Sequence, residues 1–83
     1  MPESAELILY VRKDCHLCSE MISDLSKLQV NLCFYLELVD VDSNLNLVEK
    51  HGEFVPVLMG KNEEICHFHL DSKALDAYLA KIR

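Results

Sequence analysis

The sequence predicts an α/β domain built on a mixed sheet, and three observations carry that prediction. Two apolar runs, 7–11 and 31–41, flank a helix-patterned stretch, the order of a right-handed βαβ unit with parallel strands. Two shorter apolar runs then face each other across Gly60-Lys61-Asn62-Glu63, a polar turn short enough for an antiparallel hairpin. A last amphipathic stretch closes the chain, so the order reads β-α-β-α-β-β-α over one domain, 1–83, with a four-stranded mixed sheet.

Each element has its own pattern. Leu7-Ile8-Leu9-Tyr10-Val11 shows no polar alternation, which suits a central strand covered on both faces. From Leu17 the apolar spacing changes to three and four, through Cys18, Met21, Ile22, Leu25 and Leu28, as on an amphipathic helix. The run 31–41 holds Leu32, Cys33, Phe34, Leu36, Leu38 and Val39 and reads as the second strand, with Cys33 as a small apolar core residue. The acidic turn Asp40-Val41-Asp42 supplies a capping oxygen for a short helix at about 43–51, and Gly52 fits its stop. His51 beside Gly52 suits a helix end, where an imidazole meets the negative pole of the dipole.

Val57-Leu58-Met59 and 64–68 form the hairpin strands. Asp71 or Ser72 caps a final helix whose stripe is Leu75, Tyr78, Leu79 and Ile82, with Lys81 and Arg83 complementing its C-terminal dipole.

Composition limits what the chain can be. Its 83 residues, 51% hydrophobic and 27% charged, suit a single modest core and leave no room for a second domain. The net charge is −6, from 14 acidic and 8 scattered basic residues, a field that repels phosphate backbones, so nucleic acid is excluded as a partner. No apolar stretch approaches the roughly 20 residues that cross a bilayer, which predicts a soluble protein without membrane contact. The short acidic start before Leu7 has no basic n-region, so a cytoplasmic, reducing setting is expected, with the chain a monomer. There a close cysteine pair reads as catalytic, redox-sensing or metal-binding sooner than as a permanent crosslink.

That pair is Cys15-His16-Leu17-Cys18, placed where the first strand gives way to the first helix. Unpaired N–H groups and the positive end of the dipole gather at a helix start, and both favour a thiolate over a thiol. Cys15, with little helix before it, should be the more exposed sulfur and attack first. Cys18, one turn on beside Met21 and Ile22, should be shielded and resolve the mixed disulfide. Arg12, Lys13 and a protonated His16 stabilise a thiolate, whereas Asp14 opposes it. His16 has two readings of equal standing, a modulator of the dithiol and a solvated residue of the helix start.

Metal is a competing use, since Cys66, His67 and His69 with the two thiols would be enough ligands for tetrahedral zinc. Their spacing matches no standard zinc module, and 67 and 69 share a strand face that 66 does not, so ordinary strand residues are expected and no metal site is assigned. Val55-Pro56 is the second informative site. A proline opening an apolar strand is tolerated there, and a cis bond would aim the preceding backbone at a neighbour.

Leu9-Tyr10-Val11-Arg12-Lys13-Asp14-Cys15-His16-Leu17-Cys18, with Val39-Asp40-Val41-Asp42, Gly52 and Val55-Pro56-Val57-Leu58, resembles the thioredoxin-like superfamily, and within it small bacterial glutaredoxin-like proteins, over nearly the whole chain. The resemblance implies a thioredoxin-like three-layer α/β/α sandwich, a nucleophilic Cys15, a resolving Cys18 and a cis bond before Pro56, with Val55 offering its backbone to the substrate. It thus implies a thiol-disulfide oxidoreductase acting on disulfide-containing proteins or small thiols, with Arg12, His16, Leu17, Val55 and Pro56 around the substrate and no tightly bound cofactor. The alternative is a non-catalytic binding domain of the same fold that holds a partner near Val55-Pro56, with metal on the thiols.

Two departures matter. His16-Leu17 replaces the family's Pro-Tyr, and the region of its Gly-Gly pair reads Cys66-His67-Phe68-His69-Leu70-Asp71, without glycine. Side chains there crowd the carboxylate end of glutathione, so poor use of glutathione as reductant is expected.

Overall fold

The computed structural model describes residues 5–61 and 63–82. The acidic start at 1–4, Asn62 of the predicted turn and Arg83 of the predicted helix end lie outside the described residues. The strands are β1 (Ala5–Val11), β2 (Phe34–Asp40), β3 (Val57–Met59) and β4 (Glu64–His67). The helices are α1 (His16–Leu28), α2 (Leu45–His51) and α3 (Ser72–Lys81), with a 3₁₀ turn at Val41–Ser43. The element order is therefore β-α-β-α-β-β-α, as read from the sequence.

The sheet runs β2-β1-β3-β4. β1 and β2 pair in parallel from Ala5↔Phe34 to Val11↔Asp40, and β3 is antiparallel to β1, with Tyr10 opposite Val57. β4 pairs antiparallel with β3 across an irregularity at Leu58/Met59. This register puts the C-terminal ends of β1 and β2 and the start of β3 at one edge of the sheet. Cys15, the Asp40–Asp42 turn and Val55-Pro56 all follow or precede those ends.

One face of the sheet holds the core. Leu7, Leu9 and Leu58 pack with Met21 and Leu25 of α1 and Leu75 and Leu79 of α3. Met21 and Leu25 are four apart and so share a helix face, which is why the spacing seen in sequence becomes a buried stripe. Truncating a residue such as Leu25, fully buried here, costs about 2–5 kcal/mol at comparable core sites. The opposite face is covered less well than an unbroken apolar strand predicts. Among the described residues the two-turn α2 covers it at Tyr10, none of the α2 residues is buried, and Ile8 and Tyr10 are half-buried. Its end is pinned by the His51 ring stacking on Tyr10, centroids 4.4 Å apart at 17°.

Three local expectations change. The second strand begins at Phe34, not at 31, because the end of α1 continues as a turn in which the Asn31 and Leu32 N–H groups donate to the Leu28 carbonyl. Cys33 is consequently exposed and is not a core residue. The helix expected at about 43–51 is split by two caps. Asp40 Oδ1 accepts the Asp42 N–H (2.9 Å) and opens the 3₁₀ turn, and Asn44 Oδ1 accepts the Asn46 N–H (2.8 Å) and opens α2.

Finally, β4 stops at His67 because Phe68 adopts a φ of 65°, so His69 lies beyond the strand and shares no strand face with His67. The Phe68 N–H donates instead to the Pro56 carbonyl (3.0 Å). Asp71 then caps α3, its Oδ1 accepting the Ala74 N–H at 3.1 Å. In the hairpin, Gly60 lies under the Tyr78 ring, where any Cβ would overlap ring atoms, and the Tyr78 hydroxyl accepts the Lys61 N–H at 2.7 Å.

Candidate functional site

The chain leaves β1 through Arg12, Lys13 and Asp14. Asp14 has a φ of 56°, a left-handed conformation that Asp tolerates better than most residues, and it turns the backbone into α1. Cys15 is the N-cap, extended at φ −102° and ψ 105°. Its carbonyl accepts the Ser19 N–H (3.2 Å), and its Sγ accepts the Cys18 N–H (3.1 Å). A sulfur thus stands where a capping oxygen usually does. The Cys15 and Cys18 sulfurs are joined as a disulfide, with the Cα atoms 5.2 Å apart. Cys15 is half-exposed, whereas Cys18 is only 3% exposed.

On reduction, the positive pole of α1 and the Cys18 N–H favour negative charge on Cys15. The more exposed partner is therefore also the one at the positive end of α1. The other two thiols differ from this pair. Cys66 is buried in β4, and burial pushes its thiol above the ordinary range; Cys33 is exposed and far from a helix start.

An open hollow of about 520 Å³ is lined by Val11, Arg12, Asp14, Cys15, His16, Cys18, Ser19 and Ile22. Four of the residues singled out in the sequence, Arg12, Cys15, His16 and Cys18, meet there. His16 is 89% exposed, and its Nε2 is 3.9 Å from Glu20 Oε2, too far for a hydrogen bond. Leu17 turns away into a smaller hollow of about 150 Å³ between α1 and the segment after β4, with Phe68, His69 and Leu70. Val55 is half-buried and Pro56 buried; the bond between them is cis, and they line neither hollow but sit at the same edge of the sheet.

Arg12 is not a free cation. Its Nε and Nη2 donate to the two Asp42 oxygens (3.1 and 2.8 Å), and Nη1 donates to the Gly52 carbonyl (3.3 Å). The Asp42 carboxylate, hydrogen-bonded to Arg12, is held below the ordinary carboxylate range, and the Arg12 guanidinium is held above its own. The sequence marked Asp42 as part of a capping turn and of the family-like Val39-Asp40-Val41-Asp42 segment, not as a partner of Arg12. Its signal was an acidic residue just past β2, the strand next to the one that delivers Arg12. Among the described residues, no three His, Cys, Asp or Glu side chains stand together as a metal site. Nor is any helix among them long and apolar enough to cross a membrane.

A four-stranded mixed sheet, a Cys-x-x-Cys at the start of its first helix and a cis-proline at the same edge define a thioredoxin-like domain. Thioredoxin 1 from Thermosipho africanus shares this fold at 21% identity (TM-score 0.60, covering 92% of this chain and 96% of that one). The model of the glutaredoxin-like domain (DUF836) family matches residues 6–80, and the chain belongs to that family. It is similar to protein Ne2328 from Nitrosomonas europaea, with 41% identity, a TM-score of 0.85 and 94% of each chain covered. The protein XcR50 from X. campestris is similar at 29% identity, with a TM-score of 0.71 and coverage of 90% of this chain and 96% of that one. No curated protein matches.

Proposed function

We propose that the chain is a small thiol-disulfide oxidoreductase. In the reduced protein, the Cys15 thiolate attacks one sulfur of a substrate disulfide; the S–S bond breaks and the other sulfur leaves as a thiolate that takes up a proton. Cys18 then loses its proton and attacks Cys15 Sγ, releasing the second substrate thiolate and forming the Cys15–Cys18 disulfide. Two electrons pass to the substrate, and an external thiol returns the pair to its reduced form.

The observation that carries this reading is Cys15 Sγ acting as N-cap acceptor for the Cys18 N–H while paired with the Cys18 sulfur. A sulfur there gains thiolate character and has its resolving partner one turn away. Around it, His16 and the Asp42-held Arg12 line the hollow that the substrate enters, Leu17 flanks it from the next hollow along α1, and Val55 offers its backbone beside the cis-Pro56. The substrate is a disulfide-containing protein or a small thiol compound, handled by a cytoplasmic monomer that binds neither nucleic acid nor membranes and holds no tightly bound cofactor. Glutathione is a poor reductant for it, because Phe68 and its neighbours occupy the region where glycines would admit that peptide.

The test is reduction of a protein disulfide by the prereduced domain. Wild type should convert substrate stoichiometrically and finish as the Cys15–Cys18 disulfide. Cys18→Ser should accumulate a mixed disulfide on Cys15. Full conversion by Cys15→Ser would overturn the mechanism.

A further inference from the structure

Arg12 is the one permanent cation among the described residues lining the hollow of Cys15, and Asp14 is a carboxylate on the same wall. Alone, these two charges cancel. Asp42 tips the balance, because it takes both forks of the Arg12 guanidinium at 2.8 and 3.1 Å while Gly52 takes the remaining nitrogen. The smaller hollow, one turn along α1, adds Glu20 and Asp24. An anion approaching Cys15 therefore meets Asp14 and no guanidinium free to receive it. Exposed Lys13 and the α1 dipole act alike in wild type and in variants of Asp42, so they cancel from the comparison.

We infer that Asp42 sets the charge selectivity of the dithiol: by holding Arg12 it turns Cys15 toward neutral and cationic disulfides, such as protein cysteines flanked by Lys or Arg, and away from polycarboxylate peptide disulfides. The inference rests on Cys15 being the exposed nucleophile of the proposed reaction. Asp42 touches neither sulfur and acts through Arg12. Its position follows from the fold, since Val11 pairs with Asp40 and the residues just past both strands are brought side by side. The pair is part-exposed, with side chains 38% and 46% accessible, so it adds little to stability and its removal leaves the fold intact.

The test separates charge selectivity from turnover. Cys15 of the reduced protein is alkylated at low salt with anionic iodoacetate and with neutral iodoacetamide, each cysteine being resolved by mass. The neutral reagent reads the thiolate fraction, and the ratio of the two rates reads the local potential. Asp42→Asn should raise the iodoacetate-to-iodoacetamide ratio about two- to fivefold, a gain that shrinks as salt is added. Asp76→Asn, which removes an exposed charge from α3, should leave the ratio unchanged. Arg12→Gln added to Asp42→Asn should abolish the gain. Buried Cys66 stays unlabelled in any variant that is folded, and Asp42→Ser provides a second neutral variant on the same criterion.

In turnover, wild type should prefer cationic cystamine over oxidised glutathione, and Asp42→Asn should narrow that preference. An unchanged ratio in both Asp42 variants, an equal gain from Asp76→Asn, or a gain that survives loss of Arg12 would each overturn the inference. Absence of disulfide turnover with the alkylation pattern intact would instead count against the proposed reaction alone.

Discussion

At the β1–α1 junction, Asp14 takes a φ of 56° and Cys15 caps the helix through Sγ; at the β4–α3 junction, Phe68 takes a φ of 65° and Asp71 caps through Oδ1. Each cap accepts the N–H three residues on, and each contact is 3.1 Å long. The backbone solves the same problem twice, turning from a strand end into a helix by way of a left-handed residue. What differs is the capping atom. A carboxylate is a strong acceptor and serves the helix. A sulfur is a weak one, and in the proposed reaction the field that would have stabilised a helix start stabilises a thiolate instead.

Exchanging the roles of the two caps gives the largest expected effects. Cys15→Ser should drop disulfide reduction to background, yet under reducing conditions it should make the protein more stable by about 0.5–1 kcal/mol, since a hydroxyl is a preferred cap. Asp71→Ala should do the opposite, costing about 1 kcal/mol while leaving the exchange rate unchanged. Urea unfolding with excess reductant, beside a turnover assay, reads both. A Cys15→Ser protein less stable than reduced wild type would show that the sulfur is not a compromised cap.

The left-handed residues provide the next comparison. Phe68 and Asp14 occupy conformations that cost a side chain roughly 1–2 kcal/mol, less for Asp, whose short polar group is accommodated there. Phe68→Gly should therefore be about 1 kcal/mol more stable than Phe68→Ala, a pair in which both members lose the ring and only the backbone preference differs. Asp14→Gly should differ less from wild type than that. Thermal unfolding under fixed redox conditions would decide; equal stability of the two Phe68 variants would mean that the surroundings absorb the φ. Phe68 is 39% exposed and its ring packs against those of Phe54 and His67, so its loss opens no core cavity.

Much of this was legible in the chain itself. The Cys15 and Cys18 spacing, the change of period at Leu17 and the Val55-Pro56 step are local patterns, and the element order and the edge of the sheet they mark follow from them. Asp71 as a cap was likewise readable, because capping depends on residues three apart. The Arg12–Asp42 pair was not, because it joins positions 30 residues apart and exists only through the β1–β2 register. The His51 stack on Tyr10 arises in the same way. Cys33 was misplaced for another reason: an apolar composition around 31–36 hid a turn whose bonds return to Leu28. Phe68 carried no signal of its left-handed φ, since nothing about a phenylalanine announces a conformation that glycine normally fills.

The four cysteines extend the comparison from junctions to strands. Cys66 sits in β4, just before the second junction, and burial raises its thiol above the ordinary range. A thiol whose pKa is higher folded than unfolded supports stability below the unfolded value and loses that support as pH rises through the folded one. Unfolding measured from neutral pH to above the ordinary thiol pKa, under reducing conditions, should show wild type losing more stability than Cys66→Ala. In the same pH range iodoacetamide should label exposed Cys33 and leave buried Cys66 untouched until the chain unfolds.

The smallest expected effect lies at the base of the first junction, where Arg12 is held by Asp42. The Asp42 carboxyl is below its ordinary range because it accepts from the guanidinium, so its contribution is fully present above the unfolded pKa and is lost as pH falls through the lower, folded one. The stability difference between wild type and Asp42→Asn should therefore be flat through neutral pH and shrink in the acid range, below the usual titration of an aspartate. Both side chains are exposed, so the difference should be small and should fade with salt. A carboxyl-carbon NMR titration would place the Asp42 midpoint below the ordinary carboxylate range. A midpoint in the ordinary range would mean that the pair does not persist in solution, and the first junction would then differ from the second only in its sulfur.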